Sequence, residues 1–220
     1  MSSLASHAPP PKGSYSRAEE IANALTHGVG ALLSVAALVV LVLASSRGHD
    51  PLVVFAYALF GASLILLFSA SGLYHAATRP ELKKRLRVLD HASIYTLIAG
   101  SYSSFCFTAL RGTEGWVVFG VIWTLAALGV ILAFFFTGRA RLLSTLSYVA
   151  MGWIVVFAFG KLKAQLPPQA LFFLFAGGLL YTVGAGVYAL KKLPWSHPLW
   201  HLFVLGGAAC HVVAALKALG

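Results

Sequence analysis

Charge is what this sequence has least of. Only 10% of its 220 residues are Asp, Glu, Lys or Arg, and the acidic ones number six. A soluble domain of this length needs a polar surface for water to wet. With 59% hydrophobic residues and a mean hydropathy of +0.84, too little is left to make one. Cysteine is nearly absent as well. Cys106 and Cys210 both fall in apolar runs, which points to small packing residues rather than a disulfide framework or a thiolate metal site. No repeat recurs at a fixed period, and no low-complexity tract occurs beyond the Pro-containing start. Residues 1–19 hold no apolar core of the kind a cleaved signal peptide needs, so none is expected.

What is present is length without charge. Seven runs are free of Asp, Glu, Lys and Arg: Ile21–Ser46, Pro51–Thr78, His91–Leu110, Gly115–Gly138, Leu142–Gly160, Ala164–Leu190 and Leu193–Leu216. The shortest has 19 residues and the longest 28, and about 20 are needed to cross the hydrocarbon as a helix. The links between them are too short for a soluble catalytic domain. The expectation is an all-α membrane protein: one seven-helix transmembrane bundle over residues 20–220, preceded by a mobile cytoplasmic tail over 1–19. Ser16-x-x-Glu19 reads as a capping box opening the first helix.

The net charge of +10 is unevenly shared. The tail and the links after spans 2, 4 and 6 hold 11 Lys and Arg, and the opposite side holds 5. By the positive-inside rule the N-terminus is cytoplasmic, and an odd number of spans puts the C-terminus outside, in the cell's inner (plasma) membrane. The basic belt fits anionic lipid headgroups rather than nucleic acid, so membrane lipids are the expected partners and no soluble protein partner is inferred.

Ionisable and polar groups within spans are costly, which makes each a functional candidate. Glu20, Asn23, Thr26 and His27 open span 1, with Glu20, Asn23 and His27 on one helix face. Glu20 also suits a helix start through the dipole, and Asn23 suits helix–helix contact. Ser71 and His75 end span 2, one turn apart. Asp90-His91 opens span 3, where the carboxylate would serve a site or simply cap the helix beside Arg87. His197-x-x-x-His201 opens span 7, and histidines at i and i+4 can reach one ion. Topology brings Glu20, His75, Asp90 and His197 to similar depth at the cytoplasmic face.

His75, His197 and His201 would then supply three nitrogens, and three protein ligands with an open position is the arrangement of catalytic zinc. Such an ion activates water for hydrolysis. Asp90 would orient that water or take its proton, and Ser71 would add a supporting hydrogen bond. His211 lies 14 residues beyond His197, about 21 Å further along the helix. That is too deep for the same ion, and it reads as a polar packing residue.

In this order, Glu20-Ile-Ala-Asn23-Ala-Leu-Thr26-His27, Ser71-Gly-Leu-Tyr-His75, Leu89-Asp90-His91 and Ser196-His197-Pro-Leu-Trp-His201 resemble the hemolysin III branch of the progestin and adipoQ receptor family. The resemblance runs from Glu20 onward. It implies seven helices with a cytoplasmic N-terminus, Zn2+ on His75, His197 and His201, and Asp90 beside the bound water. The wider superfamily includes alkaline ceramidases, so a zinc-dependent hydrolase of lipid amides or esters is the implied activity. A non-enzymatic cytolysin-like protein or regulator of membrane state is the alternative, and a transporter or metal sensor a third. His91 follows the Asp where adiponectin receptors carry another residue, and the tail is too short for their cytosolic domain.

Overall fold

In the computed structural model, residues 15–137, 141–190 and 193–220 are described. The expected tail lies outside them up to residue 14, as do Arg139, Lys191 and Lys192 of the basic links. The described residues are almost entirely helical and contain no strand. In chain order the elements are α1 (Arg17–Ser45), α2 (Pro51–Ala76), α3 (Pro80–Phe105), a π-turn (Cys106–Leu110), α4 (Gly112–Phe136), α5 (Arg141–Gly152), a 3-10 segment (Trp153–Ala158), α6 (Phe159–Gln165), α7 (Pro168–Ala189) and α8 (Ser196–Ala218).

Local chemistry explains the starts. The Ser16 hydroxyl accepts from the Glu19 amide at 3.2 Å, and the Glu19 carboxylate accepts from the Ser16 amide at 2.9 Å. This is the reciprocal box that satisfies the unpaired donors of a helix N-terminus. α2, α3 and α7 open on Pro51, Pro80 and Pro168, where proline's missing amide has no intrahelical acceptor to serve. Between α3 and α4 the chain reverses through Arg111 (φ 36°) and Gly112 (φ 65°). Close behind the turn, any side chain at Gly115 would collide with the Cys106 carbonyl.

Among the described residues, six helical units are long and apolar enough to cross a membrane: α1, α2, α4, the stretch Leu142–Gln165 spanning α5 to α6, α7 and α8. The exterior agrees with them. Leu32 is 75% exposed, Phe134 68% and Phe157 93%, and so broad an apolar outside fits lipid and not water. α3 is not among the six. Its first turns carry Glu81, Lys83, Lys84, Arg85 and Arg87, and its later ones are rich in Ser and Tyr. Those hydroxyls are satisfied inside the bundle: Ser93 donates to Asp90 O, Ser103 to Ala99 O and Ser104 to Ser101 O. α3 also starts well before His91, so Asp90 sits in its third turn and is no helix cap.

α1 packs along α2, α2 along α3, α3 along α4 and α7 along α8, and α8 returns to α1. The core between them is built on Tyr57, Phe60, Leu64 and Phe68 of α2 with Leu41 of α1 and Ala214 and Ala215 of α8. The Tyr57 hydroxyl donates to the Ala215 carbonyl at 2.7 Å, so that this ring is buried without an orphaned polar tip. The order of packing sets the start of α1, the end of α2 and the start of α8 side by side.

Candidate metal centre

At that junction three imidazoles meet. Nε2 of His197 lies 3.1 Å from Nε2 of His75 and 3.1 Å from Nε2 of His201. All three rings are buried, and one ligand atom from each lies within 4.8 Å of the others. The pair on α8 is set by helical spacing, and His75 reaches it from the last turn of α2.

The other ring nitrogens decide what the convergence means. His75 Nδ1 lies 2.7 Å from the Glu20 carboxylate, which only accepts, so the Nδ1–H donates there and Nε2 is bare. His201 Nδ1 lies 3.2 Å from the Thr26 hydroxyl, whose proton is spent on the Ala22 and Asn23 carbonyls at 2.8 and 3.0 Å. Thr26 therefore accepts from His201, whose Nε2 is bare too. His197 Nδ1 meets the Tyr15 hydroxyl at 3.0 Å, with the two rings stacked. With the His197 proton also on Nδ1, donated to Tyr15, three lone pairs point at one another, an arrangement that suits a shared electrophile. Around one tetrahedral ion with bonds of about 2.0–2.1 Å, nitrogens sit roughly 3.3 Å apart. The three histidines fit a metal ion.

Glu20 is held in turn by Lys83 at 3.0 Å. Asp90 is buried beside the cluster, its carboxylate faced by Ser71, His75 and His91, and the His91 Nδ1–H donates to the Arg87 carbonyl at 2.9 Å. His27 stacks on His201 with ring centroids 3.6 Å apart. It and Asn23 are buried, and none of their side-chain N or O atoms meets hydrogen-bond geometry with a described residue. His211 is elsewhere, against Leu174 of α7.

Ser71, Asp90, His197 and His201 line one end of a cavity of about 630 Å³. Its walls are apolar, with Leu97, Phe105, Leu174 and Val204 among them, and its far end is bridged by Glu114 and Lys161, 2.7 Å apart.

Sequence alone does not assign Tyr15 and Thr26 to the site. Thr26 stood inside the first motif, whereas nothing local marks Tyr15. The link from Glu20 to His75 was equally invisible, because it spans 55 residues.

A family model described as Haemolysin-III related matches residues 15–212, which includes every residue of this cluster. The chain belongs to the haemolysin III family. Hemolysin-3 of Bacillus cereus is 45% identical over 191 residues, covering 87% of both chains. The Hemolysin-3 homolog of Bacillus subtilis (strain 168) is 43% identical, covering 87% of this chain and 90% of its own. A more distant relative, the human Monocyte to macrophage differentiation factor, is 28% identical over 96% of this chain and 90% of its own. No solved structure matches. With six apolar spans, this haemolysin III protein is a multi-pass membrane protein.

Proposed function

We propose that this haemolysin III protein is a zinc-dependent membrane hydrolase of lipid amide or ester bonds, with seven spans, a cytoplasmic N-terminus and an outside C-terminus. One observation carries the reading: three Nε2 atoms converge while each Nδ1 is engaged away from the cluster. Outer partners of this kind orient metal-binding histidines and raise their basicity. Three nitrogens leave a position open, as catalytic zinc sites do. α3 is the seventh span in this reading. Its polar turns are tolerable because the helices around it cover them.

Zinc, when bound by His75, His197 and His201, supplies Lewis-acid polarisation of a carbonyl and of water. The chain's own residues do the rest. The apolar walls take up the acyl chain and exclude bulk water from the reacting end. Asp90 accepts a proton from the attacking water and returns it to the leaving nitrogen or oxygen. The bond from water oxygen to carbonyl carbon forms, and the bond from that carbon to the leaving group breaks. Ser71 faces the Asp90 carboxylate and orients it.

Purified protein given long-chain N-acyl lipids should release fatty acid, and His201→Ala should abolish the release. Equal turnover by the variant ends the reading. For the topology, a cysteine placed at Gly220 should react with an impermeant thiol reagent on intact cells, and one placed at Ser16 should not.

The name of the Bacillus relatives supports a second reading, a non-enzymatic cytolysin-like protein or regulator of membrane state. Against a direct cytolysin stands the permanently apolar exterior, which offers no soluble form to insert. Red-cell lysis by purified protein that survives loss of the three histidines would favour it.

A further inference from the structure

His211 has no part in the chemistry above. It lies ten residues beyond His201 on α8, about 15 Å along the helix, and it lines the same cavity. Its Nε2–H donates to the Leu174 carbonyl of α7 at 3.2 Å. That bond fixes the tautomer, because a neutral imidazole carries one N–H and one bare lone pair. The Cδ2–Nε2 edge lies over Gly177, where an added Cβ would come within 2.7 Å of Nε2. The opposite edge, with the bare Nδ1, is therefore turned away from Gly177, on a residue that lines the cavity. Tyr181 walls it on one side, edge to face at 5.3 Å.

Two hydroxyls of the cavity wall are already engaged. The Thr182 hydroxyl donates to the Gly178 carbonyl and accepts from the Trp153 indole. The Tyr102 hydroxyl donates to the Gly152 carbonyl and accepts from the Val155 amide. A bare acceptor inside an apolar wall pays for its desolvation unless a donor comes to it. Anions are repelled by the lone pair, and a plain alkyl chain offers no donor. A hydroxyl does.

We propose that His211 is a second polar anchor in the cavity, an acceptor for a hydroxyl borne on the acyl chain of the bound lipid. This rests on the reading that the chain's head sits at the three-histidine cluster. The separation of about 15 Å then selects hydroxyls roughly a dozen bonds from the head. Fatty acids esterified or amidated with a mid-chain hydroxyl are the preferred class.

Binding, not turnover, tests this. Protein in nanodiscs is titrated with octadecanoic acid and with octadecanoic acids hydroxylated at the second, ninth, twelfth and final carbons, each displacing a fluorescent fatty acid. Affinity should peak near the twelfth carbon, about fivefold above the unsubstituted acid, as one net hydrogen bond gives. The second-carbon isomer should gain nothing. His211→Phe should flatten the series while leaving the affinity for octadecanoic acid unchanged. A flat series with native protein, or a peak that persists in His211→Phe, overturns the proposal. If the variant does not fold, the positional series on native protein still decides. Absence of hydrolysis would sink the hydrolase reading and leave this result standing, whereas a flat series removes the anchor alone.

Discussion

One oxygen of Glu20 lies 2.7 Å from Nδ1 of His75, and its other oxygen lies 3.0 Å from the Lys83 ammonium. A single carboxylate thus ties the start of α1 to the end of α2 and the start of α3. It also holds the His75 proton on Nδ1. Glu20→Gln keeps the shape but weakens that hold, so metal affinity should fall by about 10- to 100-fold. Competition with a chelating dye on purified protein measures it. Native affinity in Glu20→Gln would show that the carboxylate only supports the fold.

Removing the metal should cost stability as well as activity. An ion that binds only the folded chain stabilises it by about 3–4 kcal/mol at 100 to 1,000 times its dissociation constant. A strong chelator should therefore lower the unfolding temperature of native protein. In a His75/His197/His201→Ala protein the chelator should do nothing, and elemental analysis should find no bound zinc. Zinc retained by the triple variant would place the ion elsewhere.

Asp90 and Ser71 line the histidine end of the cavity without belonging to the three-nitrogen set. Asp90→Asn should leave zinc content unchanged while lowering kcat by roughly 10²- to 10⁴-fold, the usual worth of a positioned general base. Ser71→Ala should cost less, because it removes only an orienting contact. A large loss of zinc in Asp90→Asn would instead make the carboxylate part of the metal's own support.

Packing can be tested away from the site. A Cβ at Gly61 of α2 would lie 2.8 Å from Leu38 Cα of α1, backbone that cannot step aside. Gly61→Ala should destabilise by about 1–3 kcal/mol. Gly120 of α4 has nothing within 4 Å of its would-be Cβ, so Gly120→Ala should leave the unfolding temperature unchanged or slightly higher. Thermal unfolding in detergent compares the two directly.

Much of this was legible in the sequence because it is local. The capping box needs only Ser16 and Glu19, and six of the apolar runs announce their spans by length and hydropathy. The i,i+4 spacing of His197 and His201 likewise puts them on one face without any tertiary information. What was hidden depends on distance. Tyr15 meets His197 across 182 residues, and Thr26 meets His201 across 175. The π-turn at Cys106–Leu110 and the 3-10 segment at Trp153–Ala158 lie inside runs that read as unbroken helix. Composition is blind to such breaks, since they arise where a backbone must fit its neighbours. Asp90 looked like a helix opening because charge ends there, yet the charged stretch before it is helical too.

The hydroxyl and carboxylate groups that steady the three rings all come from residues 15–26, while two of the rings themselves belong to the last helix. A chain emerging from the ribosome therefore makes its braces first and its final imidazoles last. No partial product can assemble this cluster, and a protein missing only α8 would carry every brace with a single imidazole to hold.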